Sequence, residues 1–279
     1  MYLNGKKIFA TLNNKRTLPI VVGGGELPSD EYHIILTEDT GLTVKFLCNS
    51  IKDWGDGTSG SENTHTYSNY GSYTIRSNGE LANSEYGVFT NGDDETIAIL
   101  TSVKFVNSRL AISCFYGQDH LEKVTFSGSE TSIPKKAFCY CEALQRINIP
   151  NSVSRIEDGA FLGCRGLTSI PISNNVTYIG KRAFDDCQGL TSITIPTGVE
   201  EIDDQAFTHC YSLANIYLTQ SISYIGSEAF YECNLNGDEN LDIYYSGTIS
   251  QWNNIEKSSN WSSAGRINIT VHCTDGDIN

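Results

Sequence analysis

Nine cysteines and five histidines are the side chains of this 279-residue chain best suited to nucleophilic or metal chemistry. Their spacing argues against both. Cys141, Cys164, Cys187, Cys210 and Cys233 recur at a constant interval of 23 residues, so they share one position in a repeated unit. An odd-numbered column of equivalent sites reads as small buried hydrophobes rather than as disulfides. Cys139 is expected to be exposed or packed locally; Cys48, Cys114 and Cys273 lie outside the column. No Cys-x-x-Cys pair exists and the histidines are scattered, so no zinc site is expected. His209 precedes Cys210, but a thiol nucleophile needs an accessible, electropositive site, and Cys210 belongs to the buried column. The acidic pairs Glu157-Asp158, Asp185-Asp186 and Asp203-Asp204 fall in turns of the repeat, where they read as solvated loops rather than as an acid and a base in a cleft. Asp93-Asp94-Glu95 lacks the spacing of a calcium loop. No nucleophile elbow, P-loop, His-Glu-x-x-His or dinucleotide fingerprint occurs. The expectation is a protein that is not an enzyme and uses no cofactor and no metal.

What must position these residues is a repeat. Ala137-Phe138, Ala160-Phe161, Ala183-Phe184, Ala206-Phe207 and Ala229-Phe230 keep the 23-residue interval, as do Leu144, Leu167, Leu190 and Leu213, and Ile156, Ile179, Ile202 and Ile225. A period of this length with a short apolar strand per unit is the signature of a leucine-rich-repeat solenoid. One unit has too little apolar surface to close a core, so stacked copies bury theirs against neighbours. Leu-x-x-Ile-x-Ile supplies a strand with alternate residues inward. Pro150 or Pro196 then ends that strand. The Val-x-x-Ile step turns the chain, and Ala-Phe-x-x-Cys closes the convex side. Pro171 departs by sitting inside its strand, Thr219 stands where Pro196 stood, and the register breaks after Cys233.

The run Ile195-Pro196-Thr197-Gly198-Val199-Glu200-Glu201-Ile202, followed by Ala206-Phe207, Cys210 and Leu213, resembles the BspA-type leucine-rich repeat of bacterial and some protist surface proteins. The resemblance covers roughly half the chain. Asp53-Trp54-Gly55-Asp56-Gly57-Thr58, then His65-Thr66-Tyr67 and Gly71-Ser72-Tyr73-Thr74, resembles a PKD-type immunoglobulin-like β-sandwich, which implies a spacer or adhesion module with Trp54 in its core. His65 is expected to be a packed or hydrogen-bonded strand residue. The segment from Gly247 through Trp252 to Thr270-Val271-His272-Cys273 is similar to a tail common after BspA-type repeats, read as a cap in which two Trp cover the end of the core.

The expected fold is therefore mainly β: a leucine-rich-repeat solenoid of 23-residue repeats preceded by a small PKD-like β-sandwich. The expected division is a hairpin and Gly-rich joint over 1–27, the sandwich over 28–91, the solenoid over 92–240 and a cap over 241–279. Asn4-Gly5 between Tyr2-Leu3 and Lys6 onward is a hairpin signal. A hairpin this small is marginal alone, so residues 1–25 are expected to pair with a neighbouring subunit, a carrier or the next domain, and homo-oligomer or particle assembly through them is an expectation. Tyr32–Leu36, Thr43–Leu47 and Tyr73–Arg76 are candidate strands.

A net charge of −14 argues against a nucleic-acid partner and an anionic membrane surface. No apolar run approaches the length of a membrane span, so no membrane insertion is expected, and no signal peptide is visible. The BspA-type family implies an extracellular or cell-surface location. A phage tail or similar virion released by lysis would need no signal.

Between the inward positions, the concave strands expose Lys123 and Thr125, Arg146 and Asn148, Ser169 and Pro171, Ser192 and Thr194, Asn215 and Tyr217, and Asp242 and Tyr244. From these, Arg146, Asn148, Ser169, Ser192, Thr194, Asn215, Tyr217, Asp242 and Tyr244 form the candidate ligand-binding face. A rigid ladder of hydroxyl, amide and aromatic groups suits a protein or glycan on another cell or matrix, with the two tyrosines as anchors. The alternatives are a virion receptor-binding component docked through its N-terminal segment, and a ligand-free structural spacer.

Overall fold

The computed structural model describes residues 2–3, 6–7, 30–36, 42–46, 52–69, 71–77, 81, 89–91, 98–104, 110–126, 128, 130–235, 240–262 and 267–279. Near the N-terminus Tyr2–Leu3 runs antiparallel to Lys6–Lys7, with Tyr2 opposite Lys7 and Leu3 opposite Lys6. The Gly-rich joint, the Asp93-Asp94-Glu95 run and Cys48 lie outside the described residues.

Two small sheets follow. Asp30–Leu36 pairs along its whole length with Gly71–Ser77, from Asp30 opposite Ser77 to Leu36 opposite Gly71. Lys52–Asp53 and Ser59–Gly60 extend that sheet on the far side. Leu42–Phe46 is the centre of the second, between Thr64–Tyr67 and Phe89–Asn91. Tyr32 and Phe46 join the sheets through rings 4.7 Å apart, and Trp54, Tyr67 and Ile75 are buried with them. The Tyr67 hydroxyl donates to the Trp54 carbonyl at 2.8 Å, which satisfies a polar group taken out of water. His65 stacks on Trp54 at 5.0 Å and bonds Asp56 at 2.8 Å, so it is a packed strand residue.

Ala98–Lys104 is the hinge of the topology. One edge pairs antiparallel with Asp30–Leu36, and the other pairs parallel with Lys123–Thr125. The first sheet thereby continues into the solenoid as one seven-stranded sheet that ends at Arg146–Ile147. The ladder runs straight through the boundary expected near residue 91. It also covers the strand edge that the first coil would otherwise expose, a template for unwanted pairing.

The solenoid is a β-stack of about six coils. Its concave strands pair in parallel with a 23-residue advance, as in Lys123 with Arg146 and Ser192 with Asn215. The Val-x-x-Ile step does more than turn the chain. It forms a second parallel ladder of two-residue strands: Ser132–Ile133, Arg155–Ile156 and Tyr178–Ile179, then Glu201–Ile202, Tyr224–Ile225 and Glu256–Lys257. After Cys233 the register breaks as expected: Asn215 pairs with Asp242, four residues beyond the position that the 23-residue period gives.

Inside, six phenylalanines make one column. Phe115, Phe138, Phe161, Phe184, Phe207 and Phe230 stack at centroid distances of 5.3–5.6 Å with rings within 15° of parallel. The cysteine column lies beside it. Each thiol donates to the carbonyl of the phenylalanine 26 residues earlier, from Cys141 to Phe115 at 3.1 Å through Cys233 to Phe207 at 3.3 Å. Cys139 is buried, which resolves its expected placement in favour of local packing. On the convex turn, two positions per coil take left-handed backbone. One holds Ser113, Lys136, Gly159, Arg182, Gln205 and Glu228; the other holds Gly117, Tyr140, Gly163, Asp186, His209 and Glu232. Non-glycine residues are strained there, by roughly 1–2 kcal/mol each. Amides at these positions bond the next coil, as in Tyr140 to the Leu162 carbonyl at 2.7 Å and His209 to the Tyr231 carbonyl at 2.8 Å, and that offsets the strain.

The C-terminal segment closes the stack. Asn240–Tyr245 and Asn268–Cys273 continue the concave ladder in parallel, and Gly276–Ile278 turns back antiparallel to end it. Helix Ile249–Asn254 starts at a capping box between Thr248 and Gln251. Lys257 Nζ donates to the Trp252 and Ile255 carbonyls at 2.6 and 3.0 Å where the helix ends. Trp252 is buried, and Trp261 stands edge-on against Phe230 at 6.2 Å, covering the last ring of the column.

Candidate ligand-binding face

The concave ladder aligns the sequence candidates in two rows, because parallel strands in constant register put equivalent residues side by side. One row carries Lys123, Arg146 and Ser169 at its N-terminal end, and Ser192, Asn215, Asp242 and Thr270 at its C-terminal end. The second carries Thr194, Tyr217, Tyr244 and His272, with Asn148 beyond Arg146 on the earlier strand. Arg146, Asn148, Ser169, Ser192 and Thr194 are exposed, and Asn215 and Asp242 half-buried. Tyr217 and Tyr244 keep 42% and 37% of their surface open.

The face is interrupted at Pro171. Ser169 makes a single bridge to Arg146, and the next concave ladder begins at Ser192–Thr194. A proline two residues along has no amide hydrogen to extend the ladder. The departure from the repeat visible in the sequence thus divides the sheet. Beside the division lies a groove of ≈ 880 Å³ whose lining includes Lys123, Phe126, Arg146, Asn148, Ser169 and Pro171.

The C-terminal half is an aromatic stack. Tyr217 and Tyr244 lie 4.9 Å apart and 14° from parallel, and Tyr244 and His272 4.7 Å apart and 17° from parallel. His272 is the member the sequence reading did not single out. It stood in a strand assigned to capping, and only the pairing of Asn268–Cys273 with Asn240–Tyr245 sets it beside Tyr244. Its Nε2 lies 3.1 Å from Asp242 Oδ1 and its Nδ1 3.0 Å from Asp277 Oδ1. The Asp242 bond raises its pKa above the usual histidine value; partial burial opposes this and the Asp277 carboxylate adds to it.

Chemistry of the catalytic kind finds little support on the convex turn. Asp185 is a buried carboxylate held by Arg182 Nε at 2.7 Å and His209 Nδ1 at 3.2 Å. Cys210 turns the other way, into the core, where it donates to the Phe184 carbonyl at 3.1 Å. Burial pushes its thiol well above the usual range, the reverse of an activated nucleophile. Among the described residues no group of three or more His, Cys, Asp or Glu is placed to hold a metal ion, and no helix is long and apolar enough to cross a membrane.

Comparison with known proteins agrees with this architecture. Residues 108–236 match the model of the BspA type leucine rich repeat region in six copies. A leucine-rich repeat protein from Bacteroides ovatus is similar in structure over 82% of this chain and 71% of its own, at 18% identity and a TM-score of 0.50. The T. pallidum leucine rich repeat protein aligns over 59% of this chain and 71% of its own, at 25% identity and a TM-score of 0.43. A leucine rich cell surface protein from Faecalibacterium prausnitzii aligns over 57% and 63%, at 25% identity and a TM-score of 0.37. No curated protein matches the chain. By repeat length, core composition and family-model match, the protein is a leucine-rich-repeat solenoid with repeats similar to the BspA type.

Proposed function

We propose that this is a non-enzymatic recognition or adhesion protein, displayed at a bacterial surface or outside the cell, whose concave face binds a protein or glycan on another cell or matrix. The observation that carries the reading is the exposed Tyr217–Tyr244–His272 stack on a rigid ladder. Large rings held in place lose little entropy on binding, and tyrosine is enriched where interfaces concentrate their energy. Repeats of the BspA type, often found in bacterial surface proteins, support the location. The two-sheet region around Trp54 is read as a PKD-like spacer or adhesion module. The test is binding to matrix-protein and glycan arrays by the intact protein and by a Tyr217→Ala/Tyr244→Ala variant. The expected result is a loss of about tenfold or more for the variant, as for removal of an anchor worth over 1.4 kcal/mol. Unchanged binding would move the site away from these tyrosines, and no binding by the intact protein would favour the spacer.

A second reading is a phage tail or virion component docked through its N-terminal segment. The antiparallel pair at Tyr2–Leu3 and Lys6–Lys7 forms a two-stranded sheet of its own, too small to be stable without a partner. Light scattering on the full chain and on one starting near Pro28 tests it. An assembly that falls to monomer on truncation supports docking through this segment; monomers in both sink self-assembly.

A further inference from the structure

The concave face is not chemically uniform, and its N-terminal half stands against the charge of the whole chain. The protein has 33 acidic and 19 basic side chains, and many of the described cations find a carboxylate. Arg76, Lys104, Arg155, Arg165, Lys181 and Arg182 all do. Lys123 and Arg146 do not. They are adjacent across the parallel ladder, both exposed, and both line the groove beside Pro171. Neither makes an ion pair or side-chain hydrogen bond with another described residue. Glu122 lines the same groove without bonding to either. Two unpaired like charges on neighbouring strands repel one another, so the arrangement destabilises the free protein and is relieved by an anion.

We infer that this groove is the acid-recognising end of the concave face, and that its ligand is an extended, carboxylate-rich peptide segment of a partner protein. The inference rests on the recognition reading above and specifies its ligand. An arginine fork beside a lysine suits a carboxylate, which accepts two parallel bonds from the guanidinium. The rest of the face favours a peptide over a sugar chain. Tyr244 has both ring faces covered, by Tyr217 and His272. The stack therefore presents edges and hydroxyl groups, which bond main-chain amides, rather than a row of open ring faces for pyranose rings. Asp242 and Asp277 make the far end acidic, so a peptide with a basic residue there is oriented in one direction. Three strand steps separate Arg146 from Asn215 and Tyr217, about 14 Å at the usual strand spacing, or roughly four extended residues. The fitting segment carries acidic residues at one end and, about four residues on, a basic or apolar residue that meets Tyr217 and Tyr244.

Fluorescence anisotropy on the intact protein tests this with three probes: peptides built to that charge pattern, the same peptides with their acidic residues replaced by lysine, and oligogalacturonate as a carboxylated glycan. The patterned peptides are expected to bind, with affinity falling as salt rises. Lys123→Ala and Arg146→Ala should each weaken them about tenfold, the loss expected for one charge-assisted hydrogen bond. A Lys123→Glu/Arg146→Glu variant should reverse the preference and take the lysine-substituted set. That gain of binding cannot come from misfolding. Equal binding to the charge-swapped variant overturns the subsite. Binding of oligogalacturonate alone, with the same dependence on Lys123 and Arg146, overturns the peptide assignment. Failure of all three probes, while array binding still depends on Tyr217 and Tyr244, overturns this inference and leaves the recognition reading standing. Loss of that array dependence would instead overturn the reading of this face as the recognition site.

Discussion

His272 shows how much one side chain can depend on its neighbours. It packs on Tyr244 between the carboxylates of Asp242 and Asp277, and its pKa is raised first by the Asp242 bond, against partial burial, and then by Asp277. A histidine whose folded pKa exceeds its unfolded value of about 6.5 stabilises the fold fully below that value and loses the contribution as pH rises through the folded one. Raising pH from about 6 to 9 is therefore expected to loosen the final hairpin, seen as falling amide protection factors (exchange relative to the intrinsic rate at each pH) over Asn268–Cys273 and Gly276–Ile278. His272→Gln should remove most of that pH dependence. The cysteines are shifted in the same direction for a different reason, since burial disfavours the charged thiolate. Burial pushes Cys114 up to about 12 and Cys139 up to about 11, and holds the column of Cys141, Cys187 and Cys210 well above the usual thiol value. Iodoacetamide on the native protein at pH 8 should modify the half-exposed Cys273 and spare these five until denaturant is added, as peptide mass spectrometry would show. The cysteine column was legible from its 23-residue interval alone, whereas His272 had no periodic signal to mark it.

At the scale of elements the phenylalanine column is the main support. Phe184 touches a ring on each side, at 5.3 Å in both directions, and is fully buried. Phe184→Ala is expected to destabilise by about 3–5 kcal/mol, measured by denaturant unfolding, and to loosen neighbouring coils first because each coil leans only on the next. The concave strands, the Ala-Phe-x-x-Cys turn and the break after Cys233 were all readable from spacing. The second ladder was not. Its strands are two residues long, and the Val-x-x-Ile step alone looks like a turn; only parallel stacking makes Arg155–Ile156 and Tyr178–Ile179 strands at all. The left-handed positions were hidden for a related reason. They hold Ser, Lys, Arg, Gln, Glu, Tyr, Asp and His as well as Gly, because coil-to-coil amide bonds impose the conformation irrespective of side chain.

For the whole molecule, the two ends of the stack matter more than its middle. The N-terminal end is sealed by backbone pairing of Ala98–Lys104 with Asp30–Leu36. The C-terminal end is sealed by Trp252, Trp261 and the final hairpin. A chain stopped before Thr248 leaves Phe230 without Trp261 and opens the edge of Asn240–Tyr245. It is expected to associate or aggregate at concentrations where the full chain does not, which size-exclusion chromatography with light scattering would show.

The sequence by itself determined the coil. A fixed period in Phe, Cys, Leu and Ile states which residues face inward, since no other stacking buries all of them at once. It also located the exposed concave positions and, through Pro171, the place where the ladder would falter. Tertiary structure decided what those positions meet. Lys123 beside Arg146 follows from the period once the strands are parallel, whereas Tyr217 beside Tyr244 depends on the four extra residues that precede this pairing. The placing of His272 at the end of the aromatic row depends likewise on extra chain between strands, which changes the advance from Asn240–Tyr245 to Asn268–Cys273. The joining of the N-terminal sheet to the solenoid also lay beyond sequence periodicity. A strand pairs through backbone amides and carbonyls that every residue carries, so a sequence pattern shows that a strand exists but not which edge it will join.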